Sequence, residues 1–83
     1  MASLGTTGAS AELLARVRGA RLPPPVERKR IRTAAGVTLR EMASVLDVTP
    51  MTVLRWERGE VRPASGHALA YRELLDGLKG AVR

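Results

Sequence analysis

Apolar residues recur along this chain with the three-to-four-residue period of helices, most sharply over residues 38–63, TLREMASVLDVTPMTVLRWERGEVRP. Leu39, Met42, Ala43 and Leu46 share one face, and Thr38 with Glu41 three residues on forms a capping box that starts their helix. Asp47 then interrupts the pattern. Aspartate tolerates left-handed backbone better than most residues, so it turns the chain where a glycine is commoner. A second helix is predicted at once. Thr49 caps it, Pro50 suits a first turn where a missing N–H costs nothing, Val53, Leu54 and Trp56 supply apolar bulk, and Gly59 ends it. Two helices of about two turns each are too short to stand alone and need a shared core.

The rest of the pattern supplies that core. Residues 1–9 are small, polar and glycine-bearing and read as a disordered tail. Ser10 is placed to cap a helix within residues 10–22, ending near Arg21, with Leu13, Leu14 and Val17 on one face and Arg16 and Arg18 on the other. Pro23, Pro24 and Pro25 form a stiff extended spacer. A helix over residues 26–35 follows, turning Ile31, Ala34 and Ala35 inward and ending at Gly36. After a loop the C-terminal segment, residues 64–83, holds a last helix from Gly66 to about Lys79. Its apolar stripe, Ala68, Leu69, Tyr71, Leu74, Leu75 and Leu78, is broad. The fold class predicted is all-α, a compact bundle of about five short helices.

Composition narrows the picture. A chain of 83 residues is one domain with a modest core, and with no Phe, one Trp and one Tyr the interior has to draw on Leu, Val, Ile, Ala and Met. Having no Cys, it cannot form disulfides or cysteine-ligated zinc. No segment approaches the ~20 apolar residues of a membrane span, and the start lacks the basic and apolar runs of a signal peptide, so a cytoplasmic, nucleoid-associated location is expected. The net charge of +6 is uneven: residues 1–36 carry seven Lys or Arg against Glu12 and Glu27, whereas residues 37–63 balance four against four. Phosphate attraction is therefore expected from Arg28, Lys29, Arg30 and Arg32, the alternative being a solvated helix face.

Two short helices about a tight turn form a helix-turn-helix, whose economical use is to present the second helix to a DNA groove. The segment RTAAGVTLREMASVLDVTPMTVLRWERGEVRP resembles the lambda-repressor-like, or xenobiotic-response-element, family of phage and bacterial transcription regulators. The resemblance covers roughly residues 28–63 and is densest at Ala43, Val48, Trp56, Glu57, Gly59 and Pro63. It implies that Arg32 and Glu57 pair, that Met51 and Arg55 read base edges, and that Thr49, Thr52, Arg58 and Arg62 touch phosphates. Thr38, Arg40, Arg28, Lys29 and Pro50 complete the expected DNA-binding set. The fork of Arg55 fits the O6 and N7 of guanine, the alternative being a phosphate contact. Leu39 stands where the family commonly has a phosphate-binding glutamine. Pro50 stands at a base-reading position but has no donor, so only a thymine methyl or a sugar is open to it. Trp56 is expected in the core, and His67, the only histidine, on the surface.

The function expected is a sequence-specific, double-stranded DNA-binding transcription regulator, a small phage or bacterial repressor working as a homodimer. No enzyme chemistry, cofactor or metal set is visible. One rival is an excisionase, or recombination directionality factor, which predicts strands beside the helices. Another is an antitoxin or adaptor with a protein partner on its N-terminal or C-terminal helix. A fold-back of Leu13, Leu14 and Val17 over the last helix competes with dimerisation.

Overall fold

The computed structural model describes residues 8–19 and 21–82, so the expected tail at residues 1–9 lies largely outside the described residues. Among the described residues five helices follow one another: α1 (Gly8–Gly19), α2 (Pro25–Ala34), α3 (Leu39–Leu46), α4 (Pro50–Glu57) and α5 (Ser65–Ala81). There is no strand among the described residues, against the excisionase expectation.

The proline and glycine signals act one or two residues from where the pattern placed them. Ser10 does not cap α1 but lies inside it, because the small residues Gly8 and Ala9 offer no steric stop to an earlier start. That helix ends at Gly19, short of Arg21. Leu22 precedes Pro23 and is thereby kept out of the helical region. The spacer is shorter than three residues, since Pro25 is the first residue of α2, where its fixed φ suits the helix. Pro24 keeps the extended backbone, with φ −56° and ψ 152°. In α2 Ile31 is buried, whereas Ala34 is exposed and Ala35 only half-buried, so the inward face is set by Ile31 and Arg32.

Three consecutive helices end by one device. After α2, α3 and α4 a residue enters the left-handed region: Gly36 (φ 72°), Asp47 (φ 58°) and Gly59 (φ 72°). In each case the next amide reaches back five residues: Val37 N to Arg32 O at 3.1 Å, Val48 N to Ala43 O at 3.0 Å, and Glu60 N to Arg55 O at 3.0 Å. This is the Schellman closure, which satisfies end carbonyls and reverses the chain at once. It is what lets helices of eight to ten residues follow one another so tightly.

The helices meet around Ile31, Met42, Ala43, Leu46, Val53, Trp56, Tyr71 and Leu75. Trp56 and Tyr71 stack obliquely, 5.0 Å between ring centres. Leu39 packs half-buried against this core. From the other side α1 lies along α5, the fold-back arrangement, yet Leu13, Leu14 and Val17 stay about half exposed.

Tyr71 is wholly buried and its hydroxyl has no hydrogen-bond partner among the described residues. Burial pushes its phenol up to about 12, the charge of Glu57 adding to the shift while Arg28 and Arg32 oppose it. An unfolded tyrosine ionises near pH 10, so the preference of the fold for the neutral phenol is fully present below pH 10 and lost as pH rises to about 12. The loss is at most about 3 kcal/mol. Thermal melts of Tyr71→Phe should show equal or slightly higher stability at pH 7, by up to about 1 kcal/mol, and a flatter decline between pH 10 and 12. Parallel declines in the two proteins would show that the phenol does not govern the alkaline limb.

Candidate nucleic-acid interface

The second helix of the motif, α4, is divided lengthwise. Val53, Trp56 and Glu57 are buried, while Met51, Arg55 and Arg58 succeed one another at helical spacing on the exposed side. Thr49 caps the helix by accepting the amide of Thr52 at 3.2 Å, and the two hydroxyls lie 2.9 Å apart. Pro50 and Met51 stand exposed in the first turn. Among the described residues Arg55 has no carboxylate partner, and Arg58 sits 3.8 Å from Glu60, both exposed. Arg62 is exposed in the loop that follows and lines, with Pro25, Arg28, Gly59 and Val61, a groove of about 190 Å³.

The first helix of the motif starts from a closed capping box. Thr38 Oγ1 accepts from the Glu41 amide at 3.0 Å, and Glu41 Oε1 accepts from the Thr38 amide at 2.8 Å. Thr38 is exposed beside this box, and Arg40 is exposed two residues on.

The buried side of α4 is held by charge. Arg32 on α2 grips Glu57 with two parallel hydrogen bonds, Nε to Oε2 at 2.5 Å and Nη2 to Oε1 at 3.0 Å. Its remaining amino group, Nη1, donates to the carbonyl of Val37 at 2.9 Å. Only 10% of the Arg32 side chain and 2% of that of Glu57 are exposed. The hydrogen bond to Glu57 raises the Arg32 pKa above the usual arginine value despite the opposing effect of burial, so the guanidinium stays charged in this nearly dry site.

Only Lys29 and Arg30 of the basic run of α2 are exposed. Arg32 is consumed by Glu57, and Arg30 bonds Glu27 at 2.6 Å on the surface. Arg28 turns inward: Nε donates to the carbonyl of Pro23 at 2.7 Å and Nη1 to that of Trp56 at 3.0 Å. Its guanidinium lies 5.9 Å from the centre of the Tyr71 ring. Burial lowers its pKa, Tyr71 opposing the shift and the neighbouring charge of Arg62 adding to it. Lys29 alone of the four is exposed without a carboxylate among the described residues. The inward tie of Arg28 had no signal in the sequence, because one arginine in a basic run looks like another.

Trp56 is buried as expected. His67, exposed at the start of α5, lies 5.9 Å from its ring. No helix among the described residues is long and apolar enough to cross a membrane.

A family model described as helix-turn-helix matches residues 29–78, which takes in most of α5 as well as the motif. No curated protein matches the chain, and no solved structure does.

Removing the charge of Glu57 strands Arg32 in a nearly dry site, and breaking such a pair typically costs ~3–5 kcal/mol. Glu57→Gln, which keeps the shape and one acceptor, should therefore lower the melting temperature sharply. Circular dichroism melts decide the point. An unchanged melt combined with lost DNA binding would move Glu57 from the scaffold to the interface.

Proposed function

The chain belongs to the lambda-repressor and Cro-like helix-turn-helix family, a family of DNA-binding transcription regulators, and on that premise we propose that it is a sequence-specific repressor of the small phage or bacterial type. The observation that carries this reading is the division of α4: one face is locked into the core, and the other offers Met51, Arg55 and Arg58 to solvent. A helix so fixed is a rigid reading head. Arg55, without a carboxylate partner among the described residues, is the residue for guanine, with Met51 in apolar contact beside it. Pro50 contributes shape only. Thr38, Arg40, Thr49, Thr52, Arg58, Arg62 and Lys29 hold the backbone on either side, and Arg28 leaves that set because its fork is spent on the protein's own carbonyls. The protein works at the nucleoid.

Readout by two side chains is thin for one chain, which is the reason to expect two. A symmetric dimer uses each recognition helix twice on half-sites about one helical turn apart. Leu69, Leu74 and Leu78 support it, since they remain only half-buried on α5 even with α1 alongside.

Selection of bound sequences from a random duplex library tests the whole reading, and a palindromic consensus is the expected result. On the selected duplex Arg55→Ala should lose ~1–3 kcal/mol and relax the preference at one position. Arg58→Ala and Arg62→Ala should instead weaken all duplexes alike and reduce the salt slope by about one each. Equal losses on selected and random duplexes for Arg55→Ala would make it a phosphate contact.

Assembly has its own test. Sedimentation at micromolar concentration, alone and with the selected duplex, should find two chains per palindrome. One chain per half-site with no self-association in either state would exclude the dimer.

A further inference from the structure

We propose that Arg28 is a positioning residue that fixes the C-terminal end of α4 and so governs which sequences that helix reads, without touching DNA itself. The proposal rests on the DNA-binding reading given above.

The last carbonyls of a helix have no partner within it and must find one outside. At the end of α4 the carbonyl of Trp56 accepts the amide of Gly59 at 3.2 Å and also Nη1 of Arg28 at 3.0 Å. Trp56 follows Arg55 directly and precedes Arg58 by two residues. A small shift of its carbonyl therefore turns Arg55, whose fork must meet base edges in register, while the longer-range attraction of Arg58 to phosphate tolerates the displacement.

Arg28 is itself well held. Its Nε donates to the carbonyl of Pro23, and its guanidinium carbon lies over the ring of Tyr71, which is wholly buried. The guanidinium thus spans three elements: the segment after α1, the end of α4 and the middle of α5. It does not act alone, because residues 25, 28 and 32 recur on one face of α2 and each engages the end of α4. Pro25 lies so close to Gly59 that a Cβ there would stand 3.2 Å from Pro25 Cγ. Arg28 holds the carbonyl of Trp56, and Arg32 holds the carboxylate of Glu57.

A lysine cannot replace this arrangement. Its ammonium is a point charge on a flexible stem, whereas two carbonyls in different directions and a ring face suit a planar fork. A phosphate contact, in contrast, tolerates lysine well. The two roles therefore separate by substitution.

The test uses the full chain with Arg28→Lys and Arg28→Ala, measured on the library-selected duplex and on a random duplex across a salt series. Amide hydrogen exchange is followed in parallel without DNA. Both variants should bind the selected duplex about tenfold more weakly, as expected for loss of a charged hydrogen bond, with the random duplex and the salt slope unchanged. Exchange at Arg58, Gly59 and Glu60, whose amides close the end of α4, should quicken while the α3 amides keep their protection. Binding by Arg28→Lys at the level of the unmodified chain would overturn the proposal. So would equal losses on both duplexes with a slope lower by about one, the signature of a phosphate contact. If the unmodified chain selects no duplex, the functional reading fails, and exchange then decides alone: unchanged protection at residues 58–60 in both variants overturns the tie, and quickened exchange there upholds it.

Discussion

The buried pair of Arg32 and Glu57 is the constraint on which the rest of the arrangement turns. Helices of eight residues, the length of both α3 and α4, have almost no stability of their own, and packing of Leu, Val and Met is non-directional. Such a core leaves α4 free to slide or rotate by small amounts at little cost. A two-pronged guanidinium–carboxylate bond does not, since it fixes both distance and orientation. Its position in the last turn of α4 means that rotating the helix would withdraw a carboxylate from its partner and leave two charges buried without compensation. The orientation of Met51 and Arg55 outward is thus set by a bond on the opposite side of the same helix.

The helix ends serve the same end by different means. Three Schellman closures allow α2, α3 and α4 to follow one another with hardly any loop, so the pair can act over a short lever. Asp47 fills the left-handed position between the two helices of the motif, where glycine would be looser in the unfolded chain but less strained in the folded one. At Gly59 the choice is narrower. Its positive φ favours glycine, and a Cβ there would stand 3.2 Å from Pro25 Cγ, close enough that the proline ring would have to give by a few tenths of an ångström.

Features written within one helix were legible from the sequence, and features written between helices were legible only in part. The capping box of Thr38 and Glu41, the turn at Asp47, the cap at Thr49 and the buried face of Val53 and Trp56 all depend on residues a few positions apart, and they stand where the pattern placed them. The pairing of Arg32 with Glu57 spans 25 residues; it came from family resemblance, not from periodicity. Ala34 and Arg28 show what a single helix conceals. An alanine and an arginine carry weak and misleading signals about which face meets a neighbour: Ala34 faces solvent, and Arg28 reaches the end of another helix. The start of α1 escaped for a different reason, because Gly8, Ala9 and Ser10 neither require nor forbid a helix.

Counting charges along the chain also misplaces the electrostatic field, and the structure shows why. The run from Arg28 to Arg32 has the densest formal charge, yet Arg32 is cancelled, Arg28 is turned inward and Arg30 is paired, which leaves Lys29. The motif, formally neutral, gains by the same transaction. Glu57 is one of its four acids, and it is neutralised from outside by Arg32, so the surface of the motif keeps Arg40, Arg55, Arg58 and Arg62 against Glu41, Asp47 and Glu60. Attraction for a polyanion is thereby transferred from the preceding helix to the motif that must be steered. The number of free cations near α4 remains small. A surface with few free cations has a shallow salt dependence and weak non-specific attraction for a polyanion, which leaves the fit of a well-held helix to contribute more than charge.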